Sequence, residues 1–435
     1  MDLANAERAI AEQAGTDLTS HQRIAAVISG SAGNLIEWYD FYVYAFTSLY
    51  FAAAFFPSGD RTAQLLNVAG IYAAGFLIRP IGGWFFGRYS DRYGRRAGMV
   101  LSVILMGAGS LMIALLPTYS SAGALAPLLL LVARIVQGFS TGGQYGAAAT
   151  YLSEISTHGK RGFIGSFQFI TLIGGQLCAL LVLFVLQRVA GEAAIRDWAW
   201  RVPFVIGAGL AFTVLLLSKH MYETNAHNSE IASAGSLRAL LAYPRSLLFV
   251  VSLSASGAIC LYTFTTYMQK FLVNTSGMTA RSASEVMTGA VIVFMCLQPL
   301  IGRLSDSIGR RTCLLIYSGG MTVVAVPLLA ALSHAGTSPM NAFLLIVASL
   351  LVLSFYTSVS GLFKAELFPS HVRALGVGLA HSVAAAVFGG TAEYIALLAK
   401  QLGHEALFFW YVAFAAGIAF LTALLMPEPS RAGRL

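Results

Sequence analysis

The chain has 435 residues, of which 57% are hydrophobic and 11% charged, and its mean hydropathy is +0.72. One water-soluble core could not hide that much apolar side chain, so lipid is the expected solvent for much of it. The net charge of +8 invites a nucleic-acid reading, but the basic residues lie in short connections between apolar runs, where membrane topology accounts for them.

Residues 1–23 carry Asp2, Glu7, Glu12 and Asp17 with no apolar stretch, so a cytoplasmic tail is expected and a cleavable signal is not. Six apolar windows follow, at about 24–50, 64–87, 97–116, 124–150, 163–187 and 201–218, each near the ~20 residues that cross a hydrocarbon layer. A polar linker at 219–245 separates them from six more, at about 246–271, 284–304, 312–332, 340–363, 373–399 and 405–426, before a tail at 427–435. The expected architecture is therefore an all-α membrane protein with two six-helix bundles, 24–218 and 246–426. Most of the 27 Lys and Arg fall on the side that holds both termini, which places those termini in the cytoplasm. Cys178, Cys260, Cys296 and Cys313 lie inside apolar windows without ligand-like spacing and read as small core residues.

An internal repeat supports the two halves. Gly87-Arg-Tyr-Ser-Asp91-Arg-Tyr-Gly94-Arg95-Arg96 recurs as Gly302-Arg-Leu-Ser-Asp306-Ser-Ile-Gly309-Arg310-Arg311, each time after the second span of a half. A second repeat, Glu154 to Arg161 and Glu366 to Arg373, follows the fourth span of each half. Duplicated halves are a common construction for secondary transporters. Gly87 and Gly302 allow close helix approach, Gly94 and Gly309 suit a positive φ, and Arg95 and Arg310 hold the loops on the cytoplasmic side. Asp91 and Asp306 are expected to form an ionic latch, with Glu154, Arg161, Glu366 and Arg373 as candidate partners.

These loops, with Arg134-Ile-Val-Gln-Gly138 in the fourth span, resemble the major facilitator superfamily along the whole chain. GNLIEWYDFYVY from Gly33 and FLIRPIGGWFFGR from Phe76 resemble its metabolite/proton symporter family. Longer runs, FQFITLIGGQLCALL from Phe167, YTFTTYMQKFLVNTSGM from Tyr262, FYTSVSGLFKAELFPSHVRALGVGL from Phe355 and FGGTAEY from Phe388, are similar to members that carry 2-oxoglutarate. The resemblance implies alternating access and symport of a small dicarboxylate with a proton across the cell inner membrane, by a monomer without further cofactors. It also aligns Asp40 with the proton-coupling aspartate of sugar/proton symporters, and Arg134 with that aspartate's arginine partner.

Ionisable residues at membrane depth are few: Glu37, Asp40, Arg79, Arg134, His381 and Glu393. A charge at the bilayer centre costs at least ~2.5 kcal/mol on insertion scales, so such residues mark pathways or pairs. At ~1.5 Å per residue, Glu37, Asp40, Arg79 and Arg134 reach similar depths, and they are expected around one cavity. An arginine beside a carboxylate favours its charged form and separation favours its protonated form, so relative helix movement could load or release a proton. Asp40 with Arg134 is the expected switch, with Glu37 a second candidate and static pairing the alternative. Arg79, before Pro80 and without a loop role, is the first choice for a substrate carboxylate, because a guanidinium matches that group's planar geometry. From the second half Tyr262, Thr266, Lys270, Tyr356 and His381 are candidates, as is Gln168 in the fifth span; interhelical bonding, and snorkelling for Lys270, compete with that reading.

A pump is disfavoured because no GxxxxGK[ST] loop is present, and an enzyme because no nucleophile–base or metal cluster stands out. Citrate, shikimate, proline or betaine symport and a transporter-like nutrient receptor remain as alternatives.

Overall fold

The structure, a computed structural model, describes residues 20–93, 95–141, 161–218, 237–335 and 338–429. Within these ranges side chains are described from residue 34 onward, apart from those at 87, 88, 90–97, 99, 217, 218, 370, 371 and 374. In the first half α1 is Ser20–Phe55, α2 comprises Arg61–Leu77 and Arg79–Tyr93, α3 is Arg95–Leu115, α4 Leu125–Ser140, α5 Arg161–Val189 and α6 Val202–Ser218. In the second, α7 is Pro244–Asn274, α8 Ala280–Ile308, α9 Arg310–Ser333, α10 Pro339–Glu366, α11 Leu375–Gln401 and α12 Glu405–Leu425. Each expected window holds helix, although 142–160, and with it the end of the fourth window, lies outside the described residues. So does most of the expected linker, which is described only from Leu237.

Among the described residues nine helices are long and apolar enough to cross a membrane, and Val100–Leu115 and Leu125–Ser140 are shorter apolar helices. The long first helix, 36 residues, makes the twelfth span. Large apolar side chains point outward from the two bundles, with Leu115 and Val323 each 73% and Leu425 78% exposed. Such an apolar exterior fits lipid rather than water, and helices satisfy their own backbone hydrogen bonds there.

The pairing of helices repeats between halves. α1 packs on α5, α2 on α4, and α3 on both α4 and α6; correspondingly α7 packs on α11, α8 on α10, and α9 on both α10 and α12. The two bundles meet where α5 packs on α8 and α2 on α11, contacts that the same six-helix shift interchanges.

The α5–α8 seam is tied at both ends. At the end bearing the repeated loops, a Cβ on Gly302 would stand 2.6 Å from the Gly162 carbonyl oxygen, so only glycine permits this approach. There the Asp306 carboxylate accepts from the backbone N–H groups of Gly162 (2.7 Å) and Phe163 (3.1 Å), at the N-terminus of α5, where the helix dipole favours an anion. Arg310 pairs with Asp306 at 3.1 Å and approaches Glu366 at 3.8 Å. Gly309 turns the chain with φ +90°, as its place in the motif leads one to expect. At the far end Gln187 donates to Tyr50 (2.6 Å) and Ser284 (2.9 Å), and Arg188 pairs with Glu285 at 2.8 Å.

The latch differs from its expected form in one respect. Asp306 crosses to the other bundle through backbone amides, not through Arg161 or Arg373; the Arg373 Nε instead donates to the Phe368 carbonyl at 3.4 Å. Arg161 remains close enough to act electrostatically on Glu366. Glu154 and the side chains of Asp91 and Arg95 lie outside the described residues, as does any close contact at Gly87.

Candidate functional site

Three departures from regular helix shape the centre. Pro80 lacks an N–H and its ring conflicts with the preceding turn, so α2 breaks at Ile78 and restarts at Arg79. α7 widens into a π-helical turn over Tyr262–Tyr267, and α11 does the same over Ala385–Gly389; such turns recur at functional sites. The two wide turns face each other: a Cβ on Gly389 would stand 2.6 Å from the Tyr262 ring, and one on Gly390 would overlap Phe76 of the opposite bundle.

Arg79 emerges from the break into an aromatic cage. Its guanidinium carbon lies 4.0 Å from the Phe76 ring centroid, 4.3 Å from Phe41 and 5.5 Å from Trp38, distances at which a cation is attracted to a π face. It lines a small central cavity with Asn34, Glu37, Trp38, Thr141 and His381. A second small cavity shares Trp38 and His381 and adds Tyr262 and Tyr356. The Tyr262 side chain lies beside Arg79. Glu37 Oε2 and Arg79 Nε are buried without a hydrogen-bond partner, and the two residues form no ion pair although they share the cavity.

Asp40 and Arg134 form a separate group, so the four charges do not surround one cavity. Three residues past Glu37 on α1, Asp40 turns toward Ser110 of α3 and packs against Gly207 of α6, where a Cβ would overlap its carboxylate. Both Asp40 oxygens lack a hydrogen bond. Arg134 makes its bond to Gln137 Oε1 at 2.7 Å, one turn along α4, and Gln137 donates to Ser110 at 2.8 Å. The expected Asp40–Arg134 pair is therefore not closed; the guanidinium lies 4.2 Å from the Tyr44 ring and 5.1 Å from Phe41. Phe41 thus stands against both arginines.

The remaining candidates divide. Tyr262, Tyr356 and His381 line the cavities, whereas Gln168 and Thr266 are buried elsewhere. Lys270 does not snorkel: it is 1% exposed and pairs with Glu393 of α11 at 2.5 Å. Arg201 anchors the start of α6 by donating to the Leu116 carbonyl at 3.0 Å and stacking on Trp200. Lys364 lies one residue past the expected tenth window, among the connecting cations, and was not a candidate from sequence. Its side chain is wholly buried, with Nζ 2.9 Å from Ser360 Oγ and 3.1 Å from His381 Nδ1.

A duplicated six-helix plan, tied at both ends around small buried cavities with an arginine and a carboxylate, defines the class: a secondary transporter of the major facilitator type. The chain belongs to the family described as "Sugar (and other) transporter", whose sequence profile matches residues 25–225 and 218–431. It is 53% identical to the alpha-ketoglutarate permease of Escherichia coli K12 across 97% of each chain. It is 34% identical to the citrate-proton symporter of Klebsiella pneumoniae over 91% of this chain and 89% of that protein, and 30% identical to the proline/betaine transporter of E. coli K12 over 93% and 83%. The crystal structure of a D-xylose-proton symporter superposes with a TM-score of 0.73, covering 95% of this chain and 99% of the other at 18% identity, a likeness of fold.

Proposed function

We propose that the chain is a proton-coupled symporter that imports 2-oxoglutarate across the cell inner membrane by alternating access, with the loop-motif end and both termini in the cytoplasm. The observation that carries this reading is Arg79: a guanidinium in a buried cavity between bundles, held by aromatic faces and not neutralised by the carboxylate that shares the cavity. A substrate carboxylate supplies the missing anion in bidentate geometry. The 53% identity to an alpha-ketoglutarate permease supports the choice of 2-oxoglutarate, and the likeness to a citrate-proton symporter supports the proton.

In the mechanism, Asp40 and Glu37 are the proton carriers. Neither has a complete set of hydrogen bonds, so each can take up a proton when its side of the bundle opens to water. Phe41, against both arginines, links substrate arrival at Arg79 to the position of Arg134 near Asp40. The α5–α8 ties at the two ends then break alternately, exposing the cavity first to one compartment and then to the other. The protein works as a monomer in the bilayer, with no cofactor beyond the proton.

Purified protein in liposomes with an inward proton gradient tests this directly. Labelled 2-oxoglutarate should accumulate, collapse of the gradient should abolish accumulation, and unlabelled 2-oxoglutarate should compete better than citrate, shikimate or proline. Accumulation of one of those others in its place would reassign the cargo; counterflow without accumulation would remove the proton.

A further inference from the structure

A linear dicarboxylate has two charged ends, and Arg79 accounts for one. Lys364 sits in the last turns of α10, on the opposite bundle, with no exposed surface. Ser360 and His381 orient its ammonium, and the rings of Tyr356 and Phe363 lie 5.7 Å away on centroid distance. His381 and Tyr356 are cavity-lining residues, and His381 lies within electrostatic reach of both Lys364 and Arg79. Arg79 lines the first cavity, and Lys364 stands directly behind His381, which lines both, so a cation from each bundle lies against the same imidazole. A protonated Lys364 has only donors to offer, so His381 Nδ1 accepts from it and the ring proton then resides on Nε2.

We propose that Lys364 is the anchor for the substrate's second carboxylate, with Arg79 binding the first and His381 acting as a positioning residue that holds the ammonium at the cavity. The idea rests on the dicarboxylate reading above and extends it. A dicarboxylate bound in this way bridges the two bundles, so ligand binding itself draws them together; a monocarboxylate engages one bundle only. Two cations also offset the two negative charges on a dicarboxylate, which limits the cost of burying it. Specificity then lies in the number and separation of carboxylates.

Binding to purified wild type, Lys364→Met, Lys364→Arg and Arg79→Lys can be followed through fluorescence of Trp38, which lines both cavities. The probes are 2-oxoglutarate, glutarate and 2-oxopentanoate, the last lacking the second carboxylate. Wild type should prefer 2-oxoglutarate to 2-oxopentanoate by about 100-fold, the scale of one charge-assisted contact. Lys364→Met should weaken 2-oxoglutarate by a similar ~100-fold while leaving 2-oxopentanoate within about twofold, whereas Lys364→Arg keeps most of the preference. Arg79→Lys should weaken both ligands. The inference is overturned if Lys364→Met keeps the preference or weakens both ligands equally, or if Lys364→Arg, with its charge intact, abolishes the preference. Should wild type bind glutarate but not 2-oxoglutarate, the cargo assignment fails alone, and the same comparison with pentanoate still judges Lys364.

Discussion

The charges buried in the two bundles are treated differently. In the first bundle Glu37, Asp40, Arg79 and Arg134 all lie within the helices, yet no two of them form an ion pair, and each keeps at least one side-chain atom without a hydrogen bond. Aromatic faces and one glutamine hold the arginines instead. In the second bundle Lys270 and Glu393 close on each other at 2.5 Å, although Glu393 Oε2 is likewise without a hydrogen bond, so the difference lies in the ion pair. A neutralised pair has little left to offer a ligand, whereas separated charges respond to whatever enters: an anion at Arg79, a proton at a carboxyl. The comparison supports transport chemistry for the first set, to which the proposal above adds Lys364 from the second bundle, and helix locking between α7 and α11 for the Lys270–Glu393 pair.

The largest effect should come from breaking the locked pair on one side. Lys270→Met leaves Glu393 buried without its cation, a change that costs about 3–5 kcal/mol, while replacing both partners together is often nearly neutral. Thermal unfolding in detergent should show Lys270→Met strongly destabilised and Lys270→Met/Glu393→Gln largely restored, with transport returning in the double variant. If the double variant is stable but does not transport, the pair belongs with the working charges and the distinction drawn above collapses.

Arg79→Lys should come next. Lysine keeps the charge but loses the planar fork and the stacking on Phe76 and Phe41, contacts worth about 1.5–3 kcal/mol when an anion is bound. That corresponds to a ten- to 100-fold rise in half-saturation for the dicarboxylate, on the scale of about 1.4 kcal/mol per tenfold. Thermal stability should change little, because no ion pair is lost. A variant with wild-type half-saturation removes Arg79 from the substrate site.

Asp40→Asn cannot carry a proton. Each proton moving down a gradient of one pH unit contributes about 1.4 kcal/mol, or tenfold accumulation. The variant should therefore equilibrate substrate without concentrating it, while counterflow continues. If Glu37→Gln gives that phenotype and Asp40→Asn does not, the roles exchange.

These residues also show what sequence could and could not reveal. Twelve spans and their division into two like halves follow from window length and the repeated loops, since lipid exposure writes itself directly into hydropathy. The place of Arg79 at the central cavity was legible because a lone arginine before a proline, deep in an apolar run, has no loop role. Lys364 was not: it lies two residues before Glu366 of the second repeat and just past the expected tenth window, so it reads as a loop cation, whereas after a turn at Ser358–Val359 the tenth span resumes as helix over Ser360–Glu366. Lys270 was misplaced for a related reason. The π turn at Tyr262–Tyr267 changes the angular phase of α7 just before it, and a regular helical count does not foresee the inward turn to Glu393. The open Asp40–Arg134 pair reflects a local competitor: Gln137 lies one turn along α4 and takes the guanidinium first.

The smallest effect at the seam concerns a carboxylate of a third kind, Asp306, which pairs with Arg310 of its own bundle and also binds amides of the opposite one. Asp306→Asn retains an acceptor yet loses the negative charge at the α5 N-terminus, where such a charge is worth about 0.3–1 kcal/mol. In the proposed cycle this bond breaks once per turnover, so weakening it should favour opening at the loop-motif end without impairing substrate affinity. Hydrogen–deuterium exchange reports on it directly, because the amides of Gly162 and Phe163 are the ones the carboxylate covers. Their exchange should rise by about two- to fivefold, in keeping with that energy, while peptides around Gln187 at the far end become slightly more protected as the population shifts. Equal loosening at both ends would mean that the two ties do not alternate, and that the separated charges of the first bundle are not gated by this seam.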